Sequence, residues 1–178
     1  LEKCLLEDKQ ILIIGDFDAD GATASAVAIK ALRLMGAKHV DFLVPNRFKH
    51  GYGLSPEIVK EAKRDKEPDL IITVDNGISS NEGAELARSL GIDVIITDHH
   101  LPPNELPDAN AIINPNLRGC DFPSKNLAGV GGCFYLFSSL KTYLTKQGYF
   151  EKNNIQNPDL RTLLDLVALG TVADVVKL

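Results

Sequence analysis

The sequence is short of the features that mark several protein classes. Its three cysteines, Cys4, Cys120 and Cys133, are an odd number with no C-x-x-C pair. That disfavours a disulfide scaffold or a structural zinc site, and a reducing cytoplasm is the expected compartment. No apolar run reaches the ~18 residues of a membrane span and no signal peptide opens the chain, so no membrane partner is expected. Neither a G-x-G-x-x-G nor a G-x-x-x-x-G-K-[ST] loop is present, which tells against a generic nucleotide-binding module. Internal repeats and low-complexity segments are missing too. Positive charge is also scarce: 19 Lys and Arg stand against 24 Asp and Glu, a net charge of −5. Read alone, that balance disfavours a phosphate-backbone partner.

What is present is ordinary in bulk and unusual in detail. At 178 residues, 44% hydrophobic and 24% charged, the chain has the size and balance of one globular domain with a sizeable core. Six acids, Asp16, Asp18, Asp20, Asp75, Asp98 and Asp174, fall in short motifs. Without them, 19 basic residues face 18 acidic ones. Two divalent cations among them would offset most of the net charge of −5. The acidity thus reads as the footprint of a metal site and does not exclude an anionic substrate.

Ile11 to Gly15 is a continuous apolar run, the pattern of a strand buried on both faces. Further strands are predicted over Val40–Val44, Leu70–Val74 and Ile92–Thr97, with a short fifth over Ala111–Ile113. Helices are predicted over Ala22–Met35, from Pro56 with Ser55 as cap, and over Asn81–Leu90. Leu1 to Gln10 reads as irregular and Leu101 to Lys125 as a loop. Two helical segments follow, Leu127–Gln147 and Pro158–Leu169, around a turn at Asn153–Asn157. This alternation predicts an α/β fold: an open, mostly parallel sheet flanked by helices, Rossmann-like, with extra helices at the C-terminal end. The chain stops at Leu178 just after an acidic motif, which predicts a segment of a larger protein.

Ligands of such sheets bind beyond the carboxyl ends of the strands. After strand one comes Gly15-Asp16-Phe17-Asp18-Ala19-Asp20-Gly21, after strand three Asp75-Asn76-Gly77, and after strand four Asp98-His99-His100. Clustered like charges repel unless something positive binds between them. Carboxylates with imidazole and no thiolate suit Mn²⁺ or Mg²⁺ better than Zn²⁺. The candidate ligands exceed the needs of one ion, so two ions, activating a water for in-line attack on phosphorus, are the economical reading.

Each motif also has a plainer reading. Asp16 or Asp20 could cap the following helix. Asp75-Asn76-Gly77 is a good turn sequence. His99-His100 could sit in solvent. Asp-x-Asp-x-Asp mimics part of a calcium loop but lacks the Gly and Glu spacing of an EF-hand. Each is the better bet in isolation; at successive strand ends of one sheet the joint coincidence is not.

Asp16-Phe17-Asp18-Ala19-Asp20-Gly21, Val74-Asp75-Asn76-Gly77, Asp98-His99-His100 and Gly170-Thr171-Val172-Ala173-Asp174 resemble, in order, the motifs of the DHH phosphoesterase superfamily. Asn46-Arg47, Gly51-Tyr52-Gly53-Leu54 and the ending Gly170 to Val175 resemble its RecJ branch, the single-strand-specific 5′→3′ exonucleases of DNA repair and recombination. The resemblance runs from about Ile11 to the last residue. It implies Asp16, Asp18, Asp20, Asp75, His99 and Asp174 as metal ligands, with Asp75 bridging two Mn²⁺ or Mg²⁺ ions. It implies His100 at the scissile phosphate and Asp98 orienting its neighbours. It implies single-stranded nucleic acid, DNA favoured, as the polymeric partner, and single-strand-binding or helicase proteins as candidate protein partners.

Arg47 is the candidate phosphate clamp, with Lys49 and His50 beside it and Tyr52 available to stack on a base. For Arg47 a surface salt bridge is an equally good reading of the residue by itself. The small-residue run Ala128 to Gly132 offers backbone N–H groups to a phosphate or serves tight helix packing. Full-length enzymes of the RecJ branch carry a DHH-associated domain and commonly an OB-fold, neither of which fits into residues 1–178. The expected unit is the catalytic DHH domain with part of the DNA channel missing. Competing readings are a DHH phosphodiesterase or pyrophosphatase for a small substrate, and a scaffold that has lost its metals; the intact acidic motifs argue against the latter.

Overall fold

The computed structural model describes residues 1–46 and 48–177. The elements run α1 (Glu2–Leu6), β1 (Ile11–Gly15), α2 (Ala19–Leu34), β2 (Val40–Leu43), α3 (Pro56–Asp65), β3 (Leu70–Val74), α4 (Asn81–Ser89), β4 (Asp93–Thr97), β5 (Ala111–Ile113), α5 (Gly129–Lys146), α6 (Tyr149–Lys152), a 3₁₀ turn (Leu160–Leu163) and α7 (Leu164–Ala173). The five strands form one sheet in the order β2-β1-β3-β4-β5, every pair parallel.

Every residue of β1 and β3 is buried, as their unbroken apolar runs require. Alternate side chains feed two cores. Ile11, Ile13, Ile72 and Val74 pack with Ala24, Val27, Ala31 and Phe137 on the α2–α5–α7 side. Leu12, Ile14, Ile71 and Ile96 pack with Ile58, Val59, Ala62 and Ala87 on the α3–α4 side. The small alanines of α2 bring that helix close to both α5 and the sheet. This doubly wound order reverses between β1 and β3, the position where such sheets open a ligand crevice at their carboxyl edge.

The structure departs from the sequence reading at the ends of elements. Residues 2–6 are helical, seated by buried Cys4 and Leu5. Helix α2 begins at Ala19, three residues earlier than expected. Its cap is Asp18, which accepts the Gly21 N–H at 2.9 Å, and neither Asp16 nor Asp20 plays that part. Asp20 is thereby carried into the first helical turn. Helix α7 starts only at Leu164, after the 3₁₀ turn, and runs on to Ala173. Its C-terminal end therefore delivers Asp174. Among the described residues, no helix is long and apolar enough to cross a membrane.

Candidate metal centre

Four segments converge at the carboxyl edge of β1, β3 and β4. The β1–α2 turn brings Asp16, Asp18 and Asp20, the β3 end brings Asp75, the β4 end brings Asp98, His99 and His100, and the end of α7 brings Asp174. Their ligand atoms form three overlapping groups: Asp16, Asp18 and Asp75; Asp20, His99 and Asp174; and Asp75, His99 and His100. Within each group the atoms lie within 4.8 Å of one another. His99 Nε2 is 3.2 Å from Asp75 Oδ1, 3.7 Å from Asp174 Oδ2 and 3.9 Å from Asp20 Oδ2.

The local chain is built to hold these groups. Asp75 adopts φ +62°, a left-handed conformation that Asp tolerates better than most residues. Its N–H continues the sheet ladder by donating to Thr97 O at 3.0 Å, and strain of this kind concentrates at functional positions. Asp20 is gripped from across the chain: Gly129 N and Val130 N, at the start of α5, donate to its two carboxylate oxygens at 2.6 and 2.8 Å. These backbone donors, which the sequence reading offered to a phosphate, are thus engaged with Asp20. A Cβ on Gly129 would lie 2.4 Å from Asp75 Oδ1, so only glycine admits that carboxylate. A Cβ on Gly170 would lie 2.3 Å from Thr23 Oγ1 and 3.0 Å from Asp20 Oδ1.

Asp98 is buried and accepts from Ile78 N at 2.8 Å, His99 N at 2.7 Å and His100 N at 3.1 Å. Its Oδ1 also lies 2.7 Å from His100 Nδ1, fixing that ring with Nε2 outward. Asn114 Nδ2 donates to His100 O at 2.9 Å and Asn116 Nδ2 to His99 O at 2.6 Å. These two asparagines were not singled out from the sequence; the Asn-Pro-Asn run directly after β5 was the available signal.

Electrostatics mark the cluster as incomplete. Burial pushes the Asp75 carboxyl up to about 7, reinforced by the Asp20 charge and opposed by His99. Burial raises Asp16 and Asp20 as well. Burial pulls His99 down, yet Asp75, Asp174 and Asp20 together outweigh it and hold the imidazole up at about 9. Asp98 resists its burial, because its hydrogen bonds from His100 and Ile78 hold the carboxyl low, and it raises His100 in return. Among the described residues, no lysine or arginine pairs with any of the six aspartates. Asp75 Oδ1 and His99 Nε2 are buried with no hydrogen-bond partner. A buried carboxylate oxygen and a buried imidazole nitrogen that face one another without a hydrogen bond, surrounded by carboxylates, fit a divalent cation.

The remaining sequence candidates divide. Tyr52 comes to the site: its hydroxyl is 3.5 Å from His100 Nε2, and its ring meets the rings of His100 and Phe17 edge-on at 6.1 and 6.4 Å. His50 has both ring nitrogens engaged inside the protein, Nδ1 with Asn46 N at 3.1 Å and Nε2 with Glu61 Oε2 at 3.0 Å. Arg47 lies outside the described residues.

The sequence profile of the DHH family, N-terminal domain, matches residues 10–171. The chain belongs to the DHH family. Asp16, Asp18, Asp20, Asp75 and the Asp98-His99-His100 run all lie within that match, and Asp174, at the end of α7, falls just beyond it. The single-stranded-DNA-specific exonuclease RecJ of Escherichia coli strain K12 is 62% identical over 172 residues, 97% of this chain and 30% of that protein. A crystal structure of exonuclease RecJ bound to manganese superposes with a TM-score of 0.78 at 36% identity, covering 98% of this chain and 41% of that one. RecJ of Thermus thermophilus in complex with Mn²⁺ superposes with a TM-score of 0.74 at 32% identity, covering 98% of this chain and 23% of that one. This DHH-family chain therefore spans less than half the length of each of these relatives.

Proposed function

We propose that this chain is the catalytic unit of a metal-dependent exonuclease that hydrolyses phosphodiester bonds of single-stranded DNA from the 5′ end. The observation that carries the reading is the pair of ligand groups flanking Asp75, whose Oδ1 is buried without a hydrogen bond, at the sheet's reversal point. Asp16, Asp18 and Asp75 would hold one divalent cation; Asp20, His99 and Asp174, with Asp75 shared, would hold the second. Mn²⁺ suits this donor set, and the RecJ relatives carry it; Mg²⁺ suits it equally in charge and ligand type. When bound, such a pair supplies Lewis acidity that activates a water and neutralises charge on the phosphoryl oxygens.

The protein's own groups do the rest. Asp98 raises the His100 imidazole and fixes its ring with Nε2 outward, where a proton on that nitrogen would be donated to a phosphate oxygen as charge develops. The Tyr52 hydroxyl, near both His100 and Asp16, restrains that imidazole and presents an exposed ring face to a base. Arg47 clamps a backbone phosphate with its guanidinium fork. Hydrolysis forms one P–O bond to water and breaks one ester bond. The 62% identity to RecJ of E. coli supports a polymeric DNA substrate. A reducing, cytoplasmic setting agrees with the three free cysteines.

The test is product release with Mn²⁺ from 5′-phosphorylated single-stranded DNA, a dinucleotide and pyrophosphate in parallel. Mononucleotides released from the DNA are expected. Cleavage of the small substrates alone would overturn the exonuclease reading for this chain.

A further inference from the structure

The β2–α3 loop carries Arg47 and Tyr52, and its two ends are tied down by different means. At the far end, Ser80 Oγ accepts the Leu54 N–H at 3.0 Å. At the near end, Asn46 closes a turn on itself: its carbonyl accepts Lys49 N at 2.9 Å and His50 N at 2.8 Å, and its Oδ1 accepts Phe48 N at 3.0 Å. The Asn46 N–H is then left for His50 Nδ1, which accepts it at 3.1 Å. A ring nitrogen that accepts an N–H carries no proton, so the proton sits on Nε2, which donates to Glu61 Oε2 at 3.0 Å. Glu61 belongs to α3, whose Ile58, Val59 and Ala62 are buried against the sheet. Lys49 Nζ meets the same Glu61 oxygen at 2.6 Å.

The loop needs such an anchor. Gly51 and Gly53 sit at φ +73° and +72°, where glycine is the least constrained residue. Phe48 is 95% exposed and Tyr52 54% exposed, so neither ring holds the loop by burial. The His50 side chain, by contrast, is only 4% exposed and offers no face to a polymer.

We propose that His50 is a positioning residue for the strand-binding loop: the Glu61–His50–Asn46 relay ties that loop to α3, so that Tyr52 meets single-stranded DNA already ordered. The inference rests on the exonuclease reading for its substrate, but its structural half stands independently. Ordering the loop in advance removes an entropy cost from binding and leaves the chemical step alone.

Four variants of the Mn²⁺-loaded chain test it. His50→Asn keeps an acceptor near Asn46 N but does not reach Glu61. His50→Gln keeps a donor toward Glu61 but loses that acceptor. Glu61→Leu removes the anchor, and Glu61→Gln keeps an oxygen to accept from Nε2–H. For a single-stranded oligonucleotide, KM is expected to rise roughly tenfold in the first three, the scale of one lost charge-assisted hydrogen bond, and to stay near wild type in Glu61→Gln. Turnover and Mn²⁺ affinity should stay within about twofold, and His50→Gln with Glu61→Leu should be no worse than either alone. Wild-type KM in Glu61→Leu beside impaired His50 variants would overturn the proposal, because His50 would then be touching DNA itself. A parallel fall in turnover or Mn²⁺ affinity would overturn it too. Amide hydrogen exchange over residues 46–52 decides the structural half without any substrate: faster exchange in Glu61→Leu is expected, and unchanged exchange overturns the relay. A wild-type chain that ignores DNA would remove the exonuclease reading and leave that exchange result to stand.

Discussion

Replacing Asp75 by Asn separates the two demands on that position. The side chain keeps its shape, and Asn tolerates the φ of +62°. What goes is a charge that is 2% exposed and has one oxygen without a partner. Burial and Asp20 lift the carboxyl from 3.8 to about 7. A rise of that size means ionised Asp75 costs the metal-free fold up to about 4 kcal/mol near neutral pH, at ~1.4 kcal/mol per pH unit. That balance already contains the pull of His99, 3.2 Å away, and the buried amide that replaces the carboxylate must itself be satisfied, which returns part of the gain. A net gain of ~1–2 kcal/mol for Asp75→Asn follows, equivalent to a melting temperature about 2–8 °C higher for a domain of this size. The same substitution removes the carboxylate proposed to bridge the two cations, so Mn²⁺-dependent hydrolysis should fall by about 10³-fold or more. Thermal melts in chelator and in Mn²⁺, run beside a hydrolysis assay, read both effects. The chelated variant should melt above wild type, and the stabilisation that Mn²⁺ gives wild type should largely vanish. A chelated variant that melts below wild type, or one that hydrolyses normally, refutes the reasoning.

Three further outcomes follow from the same geometry. Gly129→Ala places a methyl 2.4 Å from Asp75 Oδ1 and 2.6 Å from Asp75 Cβ; the overpacking should cost ~1–3 kcal/mol in a denaturant titration and weaken Mn²⁺ in calorimetry. Asp98→Asn removes the charge that raises His100, so turnover should drop by ~10²-fold and the alkaline limb of the pH–rate profile should move to lower pH. Without metal, stability should fall as pH rises from 6.5 to about 9: His99 binds its proton more tightly folded than unfolded, so its contribution is complete below the unfolded value and is lost through the folded one. Melts in chelator across that range check the sign, and saturating Mn²⁺ should reverse the trend because metal and protons compete for the same ligands.

The sheet was legible because β1 and β3 are buried on both faces, and such strands announce themselves as unbroken apolar runs. The carboxylates were legible because strand ends of a parallel sheet share one edge. Less legible was everything that depends on distant segments meeting. Asp18 rather than Asp16 or Asp20 caps α2, a choice made by the α5 N-terminus, which claims Asp20 from 109 residues away. Gly129 reads as a helix-packing residue until Asp75 is seen against it. Asn114 and Asn116 act through carbonyl groups of the two histidines, which no side-chain motif encodes. His50 sits beside Arg47 and Tyr52 in sequence and so resembles a substrate residue, but its partners are Asn46 N and a glutamate on the next helix. Helix α7 is apolar nearly all round, so periodicity gave no phase from which to place its ends or foresee that Asp174 would reach His99.

The central claim is that the strand-end aspartates and His99 hold two divalent cations around Asp75. Anomalous diffraction from crystals grown with Mn²⁺ tests it directly. Two peaks are expected, both in contact with Asp75, one also touching Asp16 and Asp18, the other Asp20, His99 and Asp174. A single peak, or manganese bound away from Asp75, would contradict the account.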